Sequence, residues 1–266
     1  MWWDGDMVTS LVVHPGSSVD LSKRDPGSTP GAPGGREATE AEFATQHARL
    51  ADLQERLWAE GTRELLVVLQ AIDTAGKDGT IRHVFRGFNP TGTRVAAFRV
   101  PTELEAAHDF LWRVHAQVPR AGEVVIFNRS HYEDVLVTRV HGLVPAHVIR
   151  ARYDQINAFE RLLHDEGTRL VKLLLHISYD EQARRIEERR TDPLKAWKYK
   201  EADLRERSYW DDYQAAFTAM LENTSTAHAP WHVVPANHKW YRNWAVTEIL
   251  LRLLDDMNPQ YPQASL

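Results

Sequence analysis

Strand-like, largely apolar runs at 65–69, 94–98, 123–128, 170–177 and 231–235 alternate with longer segments whose apolar positions recur every three or four residues. An unbroken apolar run suits a parallel strand buried on both faces, whereas a stripe suits a helix that packs on one side. Phe43, His47, Leu50, Leu53 and Leu57 form such a stripe, and Gly61 follows it as a stop. Helical patterns also occupy 102–118, 146–165, 179–190, 201–221 and 240–257, and another begins near Lys77. Strand and helix in alternation imply βαβ units with right-handed crossovers. The expected fold class is α/β, with a five-stranded parallel sheet.

Ahead of the first strand pattern, 13–35 is rich in Pro, Gly and Ser and lacks periodicity. It reads as part of an extended arm over 1–38, followed by a single domain over 39–266. A chain of 266 residues has room for one large α/β domain and too little for two enzyme domains with linkers. Composition removes several alternatives. Cysteine is absent, so disulfides, thiolate metal sites and thiol nucleophiles are excluded. The first residues carry no cationic start, and no apolar stretch approaches the ~20 residues of a membrane span. A cytoplasmic protein with no membrane partner is expected. The formal net charge of −5 makes any polyanion binding depend on a local basic patch, which argues against a general nucleic-acid binder.

The candidate chemistry begins where the first strand meets the helix near Lys77, at Asp73-Thr74-Ala75-Gly76-Lys77-Asp78-Gly79-Thr80. Glycine lets backbone N–H groups point inward, a helix N-terminus favours negative charge, and a lysine there reaches outer phosphates. Ala75, Gly76, Asp78, Gly79 and Thr80 are the expected substrate-binding positions around Lys77. The match to a G-x-x-x-x-G-K-[ST] loop is imperfect, because Ala71 replaces the first Gly and Asp78 stands where Ser or Thr would hold magnesium. Asp73 is the natural replacement, since a carboxylate beside phosphates needs Mg²⁺ between them.

The third strand ends in Phe127-Asn128-Arg129-Ser130-His131-Tyr132-Glu133-Asp134, at the edge where a parallel sheet presents groups to ligands. Glu133 and Asp134 suit a metal or a water, and Arg129 suits a transferring phosphate. By local sequence alone this cluster also reads as a solvated loop with an ion pair. Further along, Arg184, Arg185, Arg189 and Arg190 crowd one helix, with Arg185 and Arg189 on one face and able to converge on one phosphate. Asp192 and Pro193 interrupt that helix before Trp197 and Lys198, so a closing lid is expected over about 179–213. The interleaved Glu187 and Glu188 also fit a solvated charged face.

These two segments, followed in order by Asp192-Pro193-x-Lys195-x-Trp197-Lys198 and Ala229-Pro230-Trp231, closely resemble the polyphosphate kinase 2 family over nearly the whole chain. The resemblance implies a P-loop kinase-like three-layer sandwich with a helical lid. It implies transfer of a terminal phosphate between inorganic polyphosphate and nucleotides, without a covalent enzyme intermediate. Mg²⁺ is the implied cofactor, with Mn²⁺ a second candidate, and a homo-oligomer is expected. By position, Lys77 and the backbone from 76 to 80 would hold phosphate, Asp73 would help hold magnesium, and Arg129 would stabilise the transferring group. Asn128 and Tyr132 join the substrate-binding set, and Arg185, Arg189 and Lys198 would be lid contacts. Some members place Asp where this chain has Asn128, so Glu133 and Asp134 become the expected partners of Asp73 at the metal. The form of the second segment resembles the subgroup acting on both nucleoside mono- and diphosphates, AMP to ADP and ADP to ATP.

A cationic track of Lys77, Arg82, Arg86 and Lys198 would carry polyphosphate. The runner-up reading is an ATP-dependent nucleoside or nucleotide kinase on the same architecture, which fold-level logic does not separate. A nucleotide-dependent switch is disfavoured, because Asn237-His238-Lys239-Trp240 lacks the acidic partner of a guanine-reading segment. His108, His115, His131 and His141 form no metal-binding pattern, and Trp112, Trp231 and Trp244 are expected in the core.

Overall fold

The computed structural model describes residues 7–199 and 201–263, with the side chain of Lys198 outside the described part. In chain order the elements are α1 (Met7–Leu11), β1 (Val12–Val13), α2 (Arg36–Glu60), β2 (Glu64–Ala71), α3 (Lys77–Val84), β3 (Thr93–Ala97), α4 (Glu103–Ala106), α5 (Trp112–His115) and β4 (Val124–Asn128). There follow α6 (Glu133–Val140), α7 (Ala146–Asp165), β5 (Thr168–His176), α8 (Tyr179–Thr191), α9 (Glu201–Arg207), α10 (Trp210–Thr224), β6 (Trp231–Pro235) and α11 (Lys239–Met257).

The strands form one sheet in the order β1-β6-β5-β2-β4-β3. All neighbours are parallel except β1, which runs antiparallel to β6. This is the P-loop kinase-like α/β architecture, with six strands where the apolar runs predict five. β2 lies at the centre, and Leu65, Leu66, Val67, Val68 and Leu69 are fully buried, as a strand covered by helices on both sides must be. One helical group joins α2, α3 and α11, and another joins α6, α7 and α10. Pairing of Ala71 with Leu175, Leu69 and Ala97 with Asn128, and His176 with Pro235 brings the carboxyl ends of five strands to one edge. β2 has β4 on one side and β5 on the other, so the chain leaves it in both directions. Such a switch point opens a crevice beyond the strand end.

The N-terminal arm is not simply extended. Met7, Val8 and Leu11 of α1 are buried, and Val12 and Val13 pair with His232 and Trp231. Arg24 Nη1 and Nη2 donate to the carbonyls of Leu11 and Val12, and Ser225 Oγ donates to that of Val13. The apolar pieces are too short to show a period, and their partners lie at the other end of the sequence. The pattern over 102–118 yields only the single turns α4 and α5, interrupted where Asp109 Oδ1 accepts from the Leu111 N–H. That over 201–221 breaks between α9 and α10. No helix among the described residues is long and apolar enough to cross a membrane.

Candidate active site

Between β2 and α3 the chain reverses through Thr74 at φ 69° and Gly76 at φ 107°. The left-handed region is open to glycine and costs other residues about 1–2 kcal/mol, so a threonine held there marks a turn enforced by its surroundings. Much of that enforcement comes from Arg185. Its Nη1 donates to the carbonyls of Thr74 and Ala75 at 3.2 and 2.7 Å, and its Nη2 to those of Ala236 and Asn237 at 2.6 and 3.1 Å. Its Nε donates to Glu181 Oε1 at 2.6 Å. All five N–H groups are thereby engaged, so Arg185 clamps the outer face of the turn and is not a lid contact for phosphate. With loop carbonyls drawn outward, the turn leads into the N-terminus of α3, where the first N–H groups lack helical partners.

Lys77, at that N-terminus, is buried and donates from Nζ to the Ala71 carbonyl at 2.8 Å. Burial pushes its ammonium below the ordinary lysine range, and Asp73 works against that shift. The Asp73 carboxyl is opposed by burial, yet Lys77 and Arg129 together hold it below the usual carboxylate range. Arg129 Nη2 donates to Asp73 Oδ1 at 2.8 Å. Arg129 also has a left-handed backbone, φ 63°, and its N–H bonds to the Leu69 carbonyl, which turns the chain sharply as β4 ends.

Glu133 completes the group. Burial raises its carboxyl above the ordinary range, Arg129 and Lys77 oppose that shift, and Asp73 adds to it. The Gln70 side-chain amide lies 3.0 Å from both Ser130 Oγ and Glu133 Oε1. Asp134, in contrast, faces Arg113 at 3.9 Å and Arg152 at 3.6 Å. Burial raises its carboxyl against the pull of those two arginines. The expected trio of Asp73, Glu133 and Asp134 is therefore not assembled, and among the described residues no three His, Cys, Asp or Glu side chains form a metal cluster. Neighbours on one helix turn point about 100° apart, so only one of the two α6 carboxylates can face the loop. Asp73 and Glu133 alone still suit Mg²⁺, which takes one or two carboxylates and completes its shell with phosphate oxygens and water. Their mutual repulsion is what a cation between them would relieve.

Asp78, the departure at the end of the loop pattern, meets Asn128 at the end of β4, since Asn128 Nδ2 donates to Asp78 Oδ1 at 2.9 Å. Thr80 N and Oγ1 both bond to the Gly76 carbonyl, at 2.9 and 3.2 Å. Tyr132, expected at the substrate, is fully buried instead. Its hydroxyl donates to Glu160 Oε1 at 2.7 Å and accepts from Lys172 Nζ at 2.9 Å, and Lys172 also bonds Glu160 Oε2 at 2.6 Å. Arg189 donates to Asp203 Oδ2 of α9 at 3.1 Å, and its charge helps lower Asp73. Arg82 on α3 and Arg86, two residues past its end, are exposed. The Lys198 side chain, expected in the lid, lies outside the described residues.

Three contributors were not foreseen. Gln182 Nε2 donates to the Asp73 carbonyl at 3.3 Å. The Tyr213 phenol donates to Glu206 Oε2 at 2.9 Å and feels the charges of Asp73 and Glu133. Arg242, in the first turn of α11, lies against Gly76 and Gly79. A cation at the positive end of a helix is an anomaly visible in sequence once that helix start is known.

A family model described as polyphosphate kinase 2 matches residues 35–262. The AMP/ADP-polyphosphate phosphotransferase of Meiothermus ruber is 55% identical over 251 residues, covering 94% of each chain. The ADP-polyphosphate phosphotransferase of Rhodopseudomonas palustris is 41% identical over 233 residues, covering 83% of this chain and 81% of its own. The crystal structure of polyphosphate kinase 2 from Arthrobacter aurescens superimposes with a TM-score of 0.95 at 48% identity, covering all of this chain and 95% of that one. A fold, a strand-end cluster and two sequence segments thus lead to one place: this chain belongs to the polyphosphate kinase 2 family.

Proposed function

We propose that this chain transfers the terminal phosphate between inorganic polyphosphate and adenine nucleotides, phosphorylating AMP to ADP and ADP to ATP. The observation that carries the reading is the convergence of Lys77, Arg129, Asp73 and Glu133 on the start of α3, at the sheet's carboxyl edge. The names of the two relatives supply the substrate classes. Phosphoryl transfer asks mainly for in-line placement and charge neutralisation. An oxygen of the acceptor's terminal phosphate forms the new P–O bond as the bond from the donor's terminal phosphorus to its bridging oxygen breaks. The shortened polyphosphate leaves with that electron pair. The attacking oxygen is already anionic, so no general base is needed.

Lys77, held by the Ala71 carbonyl, is placed to turn to a phosphate oxygen, and Arg129 is placed to pass from Asp73 to the transferring group. Asp73 and Glu133 would hold Mg²⁺, which when bound neutralises phosphate oxygens. The test is conversion of AMP and, separately, ADP with polyphosphate as the only donor, at varied Mg²⁺ and with ATP excluded. Product from both acceptors supports the full reading, and product from one narrows it. No product from either, while ATP phosphorylates an acceptor, overturns the donor assignment.

A further inference from the structure

Arg242 is 2% exposed. Its Nε and Nη2 donate to Asn243 Oδ1 at 3.2 and 2.7 Å, while Nη1 has no acceptor and the guanidinium no carboxylate among the described residues. Buried polar groups normally find partners, and buried charges find counter-charges. Arg185 shows how completely this chain can satisfy such a group. Arg242 differs, and burial lowers it to about 9.

Its position says what is missing. A Cβ placed on Gly76 would overlap Arg242 Nη1, and one on Gly79 would lie 3.4 Å from Nη2. The guanidinium therefore lies across the glycines that open α3. The charged group acting on it is another cation: the Arg185 guanidinium is 3.5 Å from the same Gly76 Cβ position, and nearby, burial, with the charges of Arg242, Arg82 and Arg86 adding to it, depresses His83. The N-termini of α3 and α11 add positive potential. An uncompensated guanidinium in such a field is a place for an anion.

We propose that Arg242 is a phosphate-binding residue that holds a non-reacting phosphate group of the polyphosphate donor beside Gly76 and Gly79, an inference that rests on the polyphosphate reading of this site.

The test compares Arg242→Met, Arg242→Lys and Asn243→Asp by KM for long-chain polyphosphate, KM for ADP, and thermal stability. Arg242→Met is expected to raise the polyphosphate KM about tenfold, as loss of one charged hydrogen bond does, with the ADP KM within about twofold. Arg242→Lys is expected to fall between that variant and the parent. Asn243→Asp places a carboxylate where Arg242 already points, so it tests the idea without removing the side chain. Its polyphosphate KM is expected to rise while thermal stability holds or increases. An Arg242 that merely props the turn would leave the polyphosphate KM of Asn243→Asp unchanged, and that result overturns the proposal. Should the parent protein show no polyphosphate-dependent turnover, the functional reading itself falls, independently of Arg242.

Discussion

Glu133 and Asp134 are neighbours in sequence with different surroundings, one facing Lys77 and Arg129, the other Arg113 and Arg152. Glu133→Gln is expected to lower turnover about a hundredfold and to raise the Mg²⁺ concentration required. Asp134→Asn should leave the Mg²⁺ requirement unchanged and cost about 1–3 kcal/mol of stability, because two arginines lose a buried partner. Magnesium titrations of both variants decide the matter, and equal shifts would place both carboxylates at the metal. Gly76→Ala combines a φ of 107° with overlap against Arg242. It is expected to cost at least ~1–2 kcal/mol in denaturant unfolding and most of the activity. Asp73, Lys77, Arg129 and Glu133 were legible because motif spacing after a strand sets the edge they reach. Tyr132 and Asp134 were not, because the left-handed turn at Arg129 decides which later side chains enter the core, and no residue type announces it.

Elements buried on both faces read clearly, and all five parallel strands fall within or around the apolar runs. The segment over 102–118 has the right composition for one helix, yet local bonds at Asp109 compete with it. Helix α8 offered charge without direction: the spacing of Arg185 and Arg189 was readable, but the reach of Arg185 across to β6's exit loop was not. Arg185→Lys keeps the charge and loses the fork. It should destabilise the protein by about 2 kcal/mol or more in urea unfolding, and unchanged stability would contradict the clamp. In β6, burial lowers the His232 imidazole from 6.5 to about 4. The unfolded chain gains that proton near pH 6.5, whereas the folded chain resists until near 4. This contribution to stability is present above pH 6.5 and is lost on acidification at up to about 1.4 kcal/mol per pH unit. The stability difference between the parent and His232→Leu should follow that slope between those pH values, and a pH-independent difference would refute it.

At the scale of the whole molecule, the sandwich and the strand edge that carries the candidate site were legible, and the integration of the arm was not. Leu11 is 3% exposed in the common core, so Leu11→Ala is expected to cost about 2–4 kcal/mol, read from the unfolding midpoint. A loss below ~0.5 kcal/mol would return the arm to a loose lead-in. The pairing of β1 also covers the outer edge of β6, which would otherwise present unpaired backbone groups to another chain. Val12 and Val13 meet partners more than two hundred residues later, a contact of very high sequence separation. During synthesis the segment made early has no place to dock until β6 has left the ribosome. The seam between them closes late, so a nascent chain interrupted before Trp231 carries both an exposed apolar helix and an unfinished sheet.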